Sequence, residues 1–505
     1  MVRFNQNIPT LPLTKFRLTN ACYILLFIGL LLIRVFFNTV LPLMDQTEAR
    51  YSEIARIMHE TANWVVLQID YGVPFWAKPP LSTWAGALSL TLFGISAFAV
   101  RLPYFLVCVI IALSIGRYQA SKGHSFWLPG IILLTLPEFY LHAGVVSTDV
   151  FLLFSVIVVM LSFWEALQPD AKPFWGYLFF LGMGLGVLSK GPIIGIITLP
   201  PLLFWSWRTG NLLRALKTAP WLLGSLIFLL ISIPWYVMTE HRSPGFIDYF
   251  IVGEHFNRYL NSEWKGDKYG FPKQQPFGVI WFFFVAFTFP WITAGIRLLF
   301  QTKLKGNFNP WNLYLLCWML WPLLFFTSSK SLIHPYILPS LVPFALLIAN
   351  AWDRLAYRMV YLAVAAGIPI VLFIVYLSGS VDSILKNNTD KYLIESAHNH
   401  ALYSLHHKSY SSRFYSNGQI HEIDKEELIE QLEKKTPFWI LIRNQERQSL
   451  SEKELDVLEL ADQNAKKGIY FFSGVQQGNG KNEKKTPKQF NNKNKSIGSN
   501  SKSAL

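Results

Sequence analysis

Apolar positions run through this chain in long, nearly unbroken stretches, not in the short alternations of a soluble fold. Runs of about 17–25 apolar residues, each able to cross about 30 Å of hydrocarbon as a helix, recur from Leu18 to about Ser378. The first, about 20–43, is too long for a signal-peptide core and lacks a small-residue cleavage site, so it predicts a retained membrane helix. With Lys15 and Arg17 placed inside, further crossings follow at Leu102–Ile115, Phe126–Ala143 and Val150–Ala166, and two short runs flank Lys190. Pro220–Val237, Phe277–Ile296, Trp311–Phe326, Leu332–Ala349 and Met359–Leu377 continue the route. This gives about eleven crossings with Lys/Arg clusters at nearly every inner loop. Leu81–Phe93 is apolar but stops at Gly94, and it is expected to lie along the interface. Counted as a crossing, it would put Arg117 and Lys122 outside.

The pattern changes after Ser378. Residues 379–474 mix charge with the short apolar runs Ala401–Leu405, Phe438–Ile442 and Gly468–Phe472, separated by helical patterns at Lys425–Lys434 and Glu452–Ala465. They predict a small α/β domain facing the outside. Residues 475–505 are rich in Asn, Lys, Gly and Ser and predict a disordered basic tail. The expected layout is therefore a membrane domain, 1–378, with long outer loops 44–101 and 239–276, a soluble domain and a tail.

Composition fits this layout. Of the 505 residues 52% are hydrophobic and 15% charged, where a soluble domain carries about a quarter charged. The net charge of +14 would suggest nucleic acid in a soluble protein, but here basic inner loops absorb much of it. Cys22, Cys108 and Cys317 all fall inside apolar runs, which argues for packing and against a structural disulfide. No P-loop, dinucleotide fingerprint or zinc spacing is present in the sequence.

On this route the unusual polar residues gather on one side. The first outer segment opens with Asp45, Glu48, Arg50 and Tyr51 and reaches Lys78-Pro79-Pro80 and Arg101. Asp149 sits where another helix reaches the same face, and Lys190 lies in Ser189-Lys190-Gly191-Pro192. The second outer segment carries Glu254-His255 and Arg258; Lys330 and His334-Pro335-Tyr336 flank a further turn. Charges at membrane depth cost about 2.5–3.5 kcal/mol each and tend to mark function. One chemistry needs this set: a lipid-phosphate-linked sugar requires cations for its leaving phosphate, a carboxylate near the acceptor and an apolar groove for the tail.

The stretch DQTEARYSEIARIM at 45–58, with Trp64, Lys78-Pro79-Pro80, Leu92-Phe93-Gly94 and Arg101, resembles the first outer loop of bacterial GT-C glycosyltransferases. The likeness is to the aminoarabinose transferases that modify lipid A, relatives of the protein O-mannosyltransferases. Thr148-Asp149, Ser189-Lys190-Gly191-Pro192, Glu254-His255 with Arg258, and Ser329-Lys330 with Tyr336-Ile337-Leu338-Pro339 follow in order, over most of 20–350. The resemblance implies a GT-C fold of about 11–13 membrane helices with a C-terminal periplasmic domain. It also implies an inner-membrane enzyme that transfers sugar, with inversion, from an undecaprenyl-phosphate donor to lipid A or another envelope acceptor.

In that reading Asp45, Glu48 and Asp149 are the catalytic candidates. Lys78, Arg101, Arg258 and Lys330 would hold the donor phosphate, while Arg50, Tyr51, Lys190, Glu254, His255 and Tyr336 would contact substrate. Two departures stand out. Relatives often carry a carboxylate directly before the Glu of the first motif, where this chain has Thr47, and commonly read Glu-Lys-Pro where this chain has Ala77-Lys78-Pro79. The sugar and any divalent cation therefore stay open. A protein or glycan O-glycosyltransferase is the nearest alternative. A transporter would show internal repeats and midplane charges, and a non-catalytic envelope scaffold would tolerate loss of Asp45, Glu48 and Lys78.

Overall fold

The computed structural model describes residues 19–257, 266, 268–269, 274–301, 309–329 and 331–474. Lys15, Arg17, Arg258, Lys303, Lys305, Lys330 and the 475–505 tail lie outside the described residues.

The chain opens with α1 (Asn20–Val40), capped at its start by Thr19. A short loop leads to α2 (Thr47–Thr61), part of whose polar face is satisfied within the helix. Arg56 there donates to Glu53 at 2.7 and 2.8 Å and to Glu60 at 2.6 Å, so its charge is neutralised where it is buried. The antiparallel ribbon of β1 (Gln68–Asp70) and β2 (Val73–Pro74) follows, then α3 (Leu81–Phe93) and α4 (Ala97–Ser121). With 13 residues α3 reaches only about 20 Å, too short to cross. It packs between α2 and α4, with Ala87 and Leu90 inward and Leu92 and Phe93 exposed.

Next come α5 (Trp127–Leu134) and α6 (Pro137–His142), then α7 (Asp149–Ala166), α8 (Phe174–Lys190), α9 (Ile193–Arg208), α10 (Leu212–Thr218) and α11 (Trp221–Arg242). A π-helical stretch, Asp248–Asn257, and the helices Val279–Phe287, Trp291–Gln301 and Pro310–Thr327 follow. A 3-10 turn, His334–Ile337, leads into Leu338–Asn350, and Arg358–Leu377 closes the membrane domain.

Among the described residues five helices are long and apolar enough to cross a membrane alone: α1, α4, α7, α11 and Arg358–Leu377. Val279–Phe287 and Trp291–Leu299 qualify together but are bent by 104°, and α3, α8, α9 and His334–Asn350 are shorter apolar helices. Two expected crossings are thus broken. Phe126–Ala143 splits because Leu136 is held extended before Pro137. Phe277–Ile296 breaks around Pro290, which has no N–H to carry the helix on.

Close helix approach in the bundle relies on small residues. The face of α8 that meets α7 carries Gly182, and a Cβ there would stand 2.9 Å from Val158.

The C-terminal sheet has strand order β4-β3-β5-β7-β6. Its members are β3 (Ala401–Leu405), β4 (Ile420–Ile423), β5 (Phe438–Arg443), β6 (Glu459–Gln463) and β7 (Lys467–Phe472). The strands β4, β3 and β5 run parallel, and β7 and β6 add on antiparallel. Apolar clusters cover both faces, which is why β5 reads as a continuous apolar run. The expected helix Glu452–Ala465 is corrected here: helix persists only over Glu452–Asp456, and Glu459–Gln463 is an edge strand with every residue exposed. Its pairing with β7 outweighs a polar pattern that carries no inward face.

This domain is tied to the loop after α1 and to the ribbon. Ser411 donates to Asp45 through its backbone N–H, at 3.0 Å, and through its hydroxyl. Tyr415 accepts from the Leu43 N–H at 2.6 Å. Lys408 and Arg413 reach Asp70 at 2.9 and 3.4 Å. Burial pushes the Asp45 carboxyl above its ordinary range, with the Ser411 bonds opposing it. Ser411→Ala leaves a buried carboxylate oxygen short of a donor, at a cost of about 1–3 kcal/mol. A lower unfolding temperature in detergent and faster proteolysis at the exposed link around Gly379 are expected; unchanged proteolysis would show that the docking does not depend on this contact.

Candidate functional site

Two consecutive helices set the centre of the site. Asp149 is the first residue of α7 and Lys190 the last of α8, and their packing as a hairpin brings the carboxylate and ammonium to 2.5 Å. Both side chains are largely buried, and each suits its helix end, an acid at an N-terminus and a base at a C-terminus. Lys190 Nζ also stands 4.6 Å from the centre of the Tyr336 ring. The chain then reverses at Gly191, whose φ of +78° is the left-handed region that disfavours a Cβ. A Cβ there would meet the Phe250 ring at 2.7 Å and His255 at 3.1 Å.

A second pair lies opposite. Lys78 Nζ donates to the Ala77 carbonyl at 2.6 Å and stands 3.5 Å from Glu254, which also accepts from Tyr249 at 3.3 Å. His255 Nδ1 donates to the Phe250 carbonyl at 2.7 Å, and Nε2 lies 3.3 Å from the Lys190 carbonyl, so the π-helical stretch sits against the end of α8. Burial holds the His255 imidazole below its ordinary value.

These residues line a cavity of about 440 Å³. At its polar end are Lys78, Asp149, Lys190, Glu254, His255 and Tyr336, with Ser329 and Ser331. Ile193, Ile196, Ile197, Phe325 and Leu338 continue it as an apolar wall along membrane helices. The arrangement can hold an anion at one end and a hydrocarbon chain along the other.

Six of the sequence-derived candidates meet in this cavity. Arg258 and Lys330 lie outside the described residues. The rest stand elsewhere. Arg101 makes a two-bond contact with Glu48 at 2.8 Å and donates to the Asn38, Leu41 and Pro42 carbonyls. These bonds tie Arg101 and Glu48 to the end of α1, away from the cavity that gathers the other six. Asp45 faces the C-terminal domain. Arg50 donates to the Tyr269 carbonyl at 2.6 Å and covers the ring of Tyr51, itself packed on Phe75. Among the described residues no group of three or more His, Cys, Asp and Glu is arranged to hold a metal ion.

Sequence reasoning missed Glu138 and His142. Glu138 is fully buried and accepts from His334 at 2.8 Å, while His142 Nδ1, bonded to the Glu138 carbonyl at 3.0 Å, stands 3.1 Å from the same carboxylate. Their signal was available: an acid and a histidine one helical turn apart inside an apolar run expected to cross the membrane.

A membrane-helix bundle with a charged cavity at the helix ends and a small mixed-sheet domain docked beside it is the GT-C fold, and the chain is a multi-pass membrane protein. Residues 20–250 match the family model described as Dolichyl-phosphate-mannose-protein mannosyltransferase. The chain is 28% identical over 327 residues to an undecaprenyl phosphate-alpha-4-amino-4-deoxy-L-arabinose arabinosyl transferase of Erwinia tasmaniensis, covering 62% of this chain and 56% of that protein. It is 30% identical over 353 residues to the protein of the same name from Aeromonas salmonicida, covering 64% and 62%. The match thus spans less than two thirds of these relatives' lengths. The crystal structure of ArnT from Cupriavidus metallidurans bound to undecaprenyl phosphate superposes with a TM-score of 0.72 at 17% identity, over 91% of this chain and 99% of that one. The likeness to the GT-C aminoarabinose transferases expected from the motifs is met in both sequence and fold.

Two outcomes follow from the site's geometry. Gly191→Ala is expected to displace Phe250 and His255 and to abolish ligand binding in the cavity; wild-type binding in a folded variant would contradict the close approach. The lowered His255 value makes the unfolded chain bind its proton first on acidification. Its stabilising contribution is therefore complete above about pH 6.5 and is lost as pH falls from there toward the folded value. Unfolding temperatures of wild type and His255→Asn should accordingly converge below pH 6; curves that stay parallel would count against a buried neutral ring.

Proposed function

We propose that the chain is an inverting glycosyltransferase that moves a sugar from an undecaprenyl-phosphate-linked donor to lipid A. One observation carries this reading: two lysines, each held by a carboxylate, stand at the polar end of a cavity whose other wall is apolar. Incoming phosphate competes with Glu254 for Lys78 and with Asp149 for Lys190. The released carboxylates are then left to face the sugar and the acceptor. An acceptor oxygen attacks the anomeric carbon, the bond from that carbon to the phosphate oxygen breaks, and its electron pair leaves with undecaprenyl phosphate. The two ammonium groups stabilise the charge that develops there. A phosphate acceptor is already ionised near neutral pH, whereas a hydroxyl acceptor gives its proton to Asp149. The undecaprenyl chain follows the Ile193–Ile197 wall into the bilayer.

The site and the C-terminal domain face the periplasm in this reading. Arg117, Lys122, Lys172, Arg208, Arg214 and Lys217, which fall near the opposite helix ends, support that orientation under the positive-inside rule. The resemblance puts Ala77 and Thr47 where relatives often carry carboxylates, so aminoarabinose is one donor among those to be tried.

Deletion of the gene and mass spectrometry of extracted lipid A test the proposal. A pentose-, hexose- or hexosamine-sized mass should disappear, return with wild type, and fail to return with Asp149→Asn or Lys78→Ala at equal membrane expression. Loss of at least about a hundredfold in transfer is expected for each. Unchanged lipid A under expressing conditions would overturn this acceptor, and sugar lost from another envelope glycan or a glycoprotein would name the substitute.

A further inference from the structure

Among the described residues no carboxylate is more deeply buried than Glu138 on α6, and the reaction proposed above gives it no part. A carboxylate sealed at membrane depth is costly unless its oxygens are bonded. Here two imidazoles do this. His334 Nδ1 lies 2.8 and 2.9 Å from the two carboxylate oxygens, and His142 Nδ1 lies 3.1 Å from one of them and 3.0 Å from the Glu138 carbonyl. The two histidines belong to the two walls that carry the cavity's polar end. His142 ends α6, directly before the segment that delivers Asp149. His334 begins the 3-10 turn whose Tyr336 lies against Lys190. Phe287 stacks on His334 at 5.2 Å and 23°, on a ring that stays partly exposed.

The contacts close a circuit. Glu138 holds His334; the turn of His334 carries Tyr336; Tyr336 meets Lys190; Lys190 pairs with Asp149; and Asp149 follows α6, the helix that carries Glu138 itself. We infer that Glu138 is a positioning residue for the donor end of the cavity, fixing through His334 the spacing between Tyr336 and the Asp149–Lys190 pair. This rests on the transferase reading for what the cavity binds, although the geometry it explains does not. A wall that shifts by about 1 Å at such a site costs on the order of a hundredfold.

The experiment uses the purified full-length protein in detergent, with undecaprenyl phosphate as the probe. Glu138→Leu should weaken its binding tenfold to a hundredfold and raise donor KM while leaving acceptor KM unchanged. Glu138→Gln, which keeps an oxygen acceptor for His334, should restore most of the binding. A 3-fluorotyrosine label at position 336, read by fluorine NMR in ligand-free protein, should shift or broaden in Glu138→Leu and return toward wild type in Glu138→Gln. This signal needs neither sugar nor turnover, so it stands if the transferase reading falls. Wild-type binding and an unmoved Tyr336 signal in a folded Glu138→Leu protein would overturn the inference. Equal losses in donor and acceptor KM that Glu138→Gln does not rescue would also overturn it, by showing a general packing role. Should Glu138→Leu fail to fold, His334→Phe decides by the same two readouts, because it keeps the stacking on Phe287 and removes the bond to Glu138.

Discussion

The ammonium of Lys190 and the carboxylate of Asp149 are buried together where α8 ends and α7 begins, and much of the surrounding structure serves that placement. Neither charge could stay in so apolar a setting alone, because each would forfeit several kcal/mol of solvation. Together, at helix ends whose dipoles favour them, they give the bundle a polar focus. Gly191 lets the chain turn away at once, so that Phe250 and His255 can approach from one side. Tyr336 approaches from another. The cavity is the space these approaches leave.

The motif residues divide by task. Asp45, Glu48, Arg50 and Arg101 form bonds to the end of α1, to the Tyr269 carbonyl and to Ser411, and so fix the first outer loop between the bundle and the C-terminal domain. Lys78, Asp149, Lys190, Glu254, His255 and Tyr336 face the cavity. A frame of buried charges held by hydrogen bonds resists displacement, because each displacement breaks charged hydrogen bonds. Stiffness in the loop is what keeps Lys78, at its far end, opposite the Asp149–Lys190 pair.

Hydropathy made the fold class legible, since only long helices satisfy their backbone in lipid. It did not mark where helices break. Leu136-Pro137 and Pro290 lie inside runs of uniform hydropathy, and the break follows from backbone geometry instead. The one-sided gathering of polar residues pointed to a candidate site, and six of its members line one cavity. It could not separate residues that face a cavity from those that face each other, because Arg101 and Lys78 look alike until partners are known. Glu138 and His142 escaped notice for the same reason: their meaning depends on His334, which approaches from a distant part of the chain. In the C-terminal domain, strands buried on both faces announced themselves as apolar runs. The exposed edge strand Glu459–Gln463 carried no such pattern.

The bonds of Arg101 also bear on the order in which the chain can settle in the bilayer. The carbonyls of Asn38, Leu41 and Pro42 are left at the end of α1 with a guanidinium as their shared donor, and that guanidinium is on α4. Because α1 precedes α4 in the chain, this end is made before the donor that seals it. Only when α4 has been inserted and has turned Arg101 toward it can the loop dry, close on Glu48 and take its final path. The end of α1 is in this sense finished by α4, and the outer loop takes its final bonds from a later segment of the same chain.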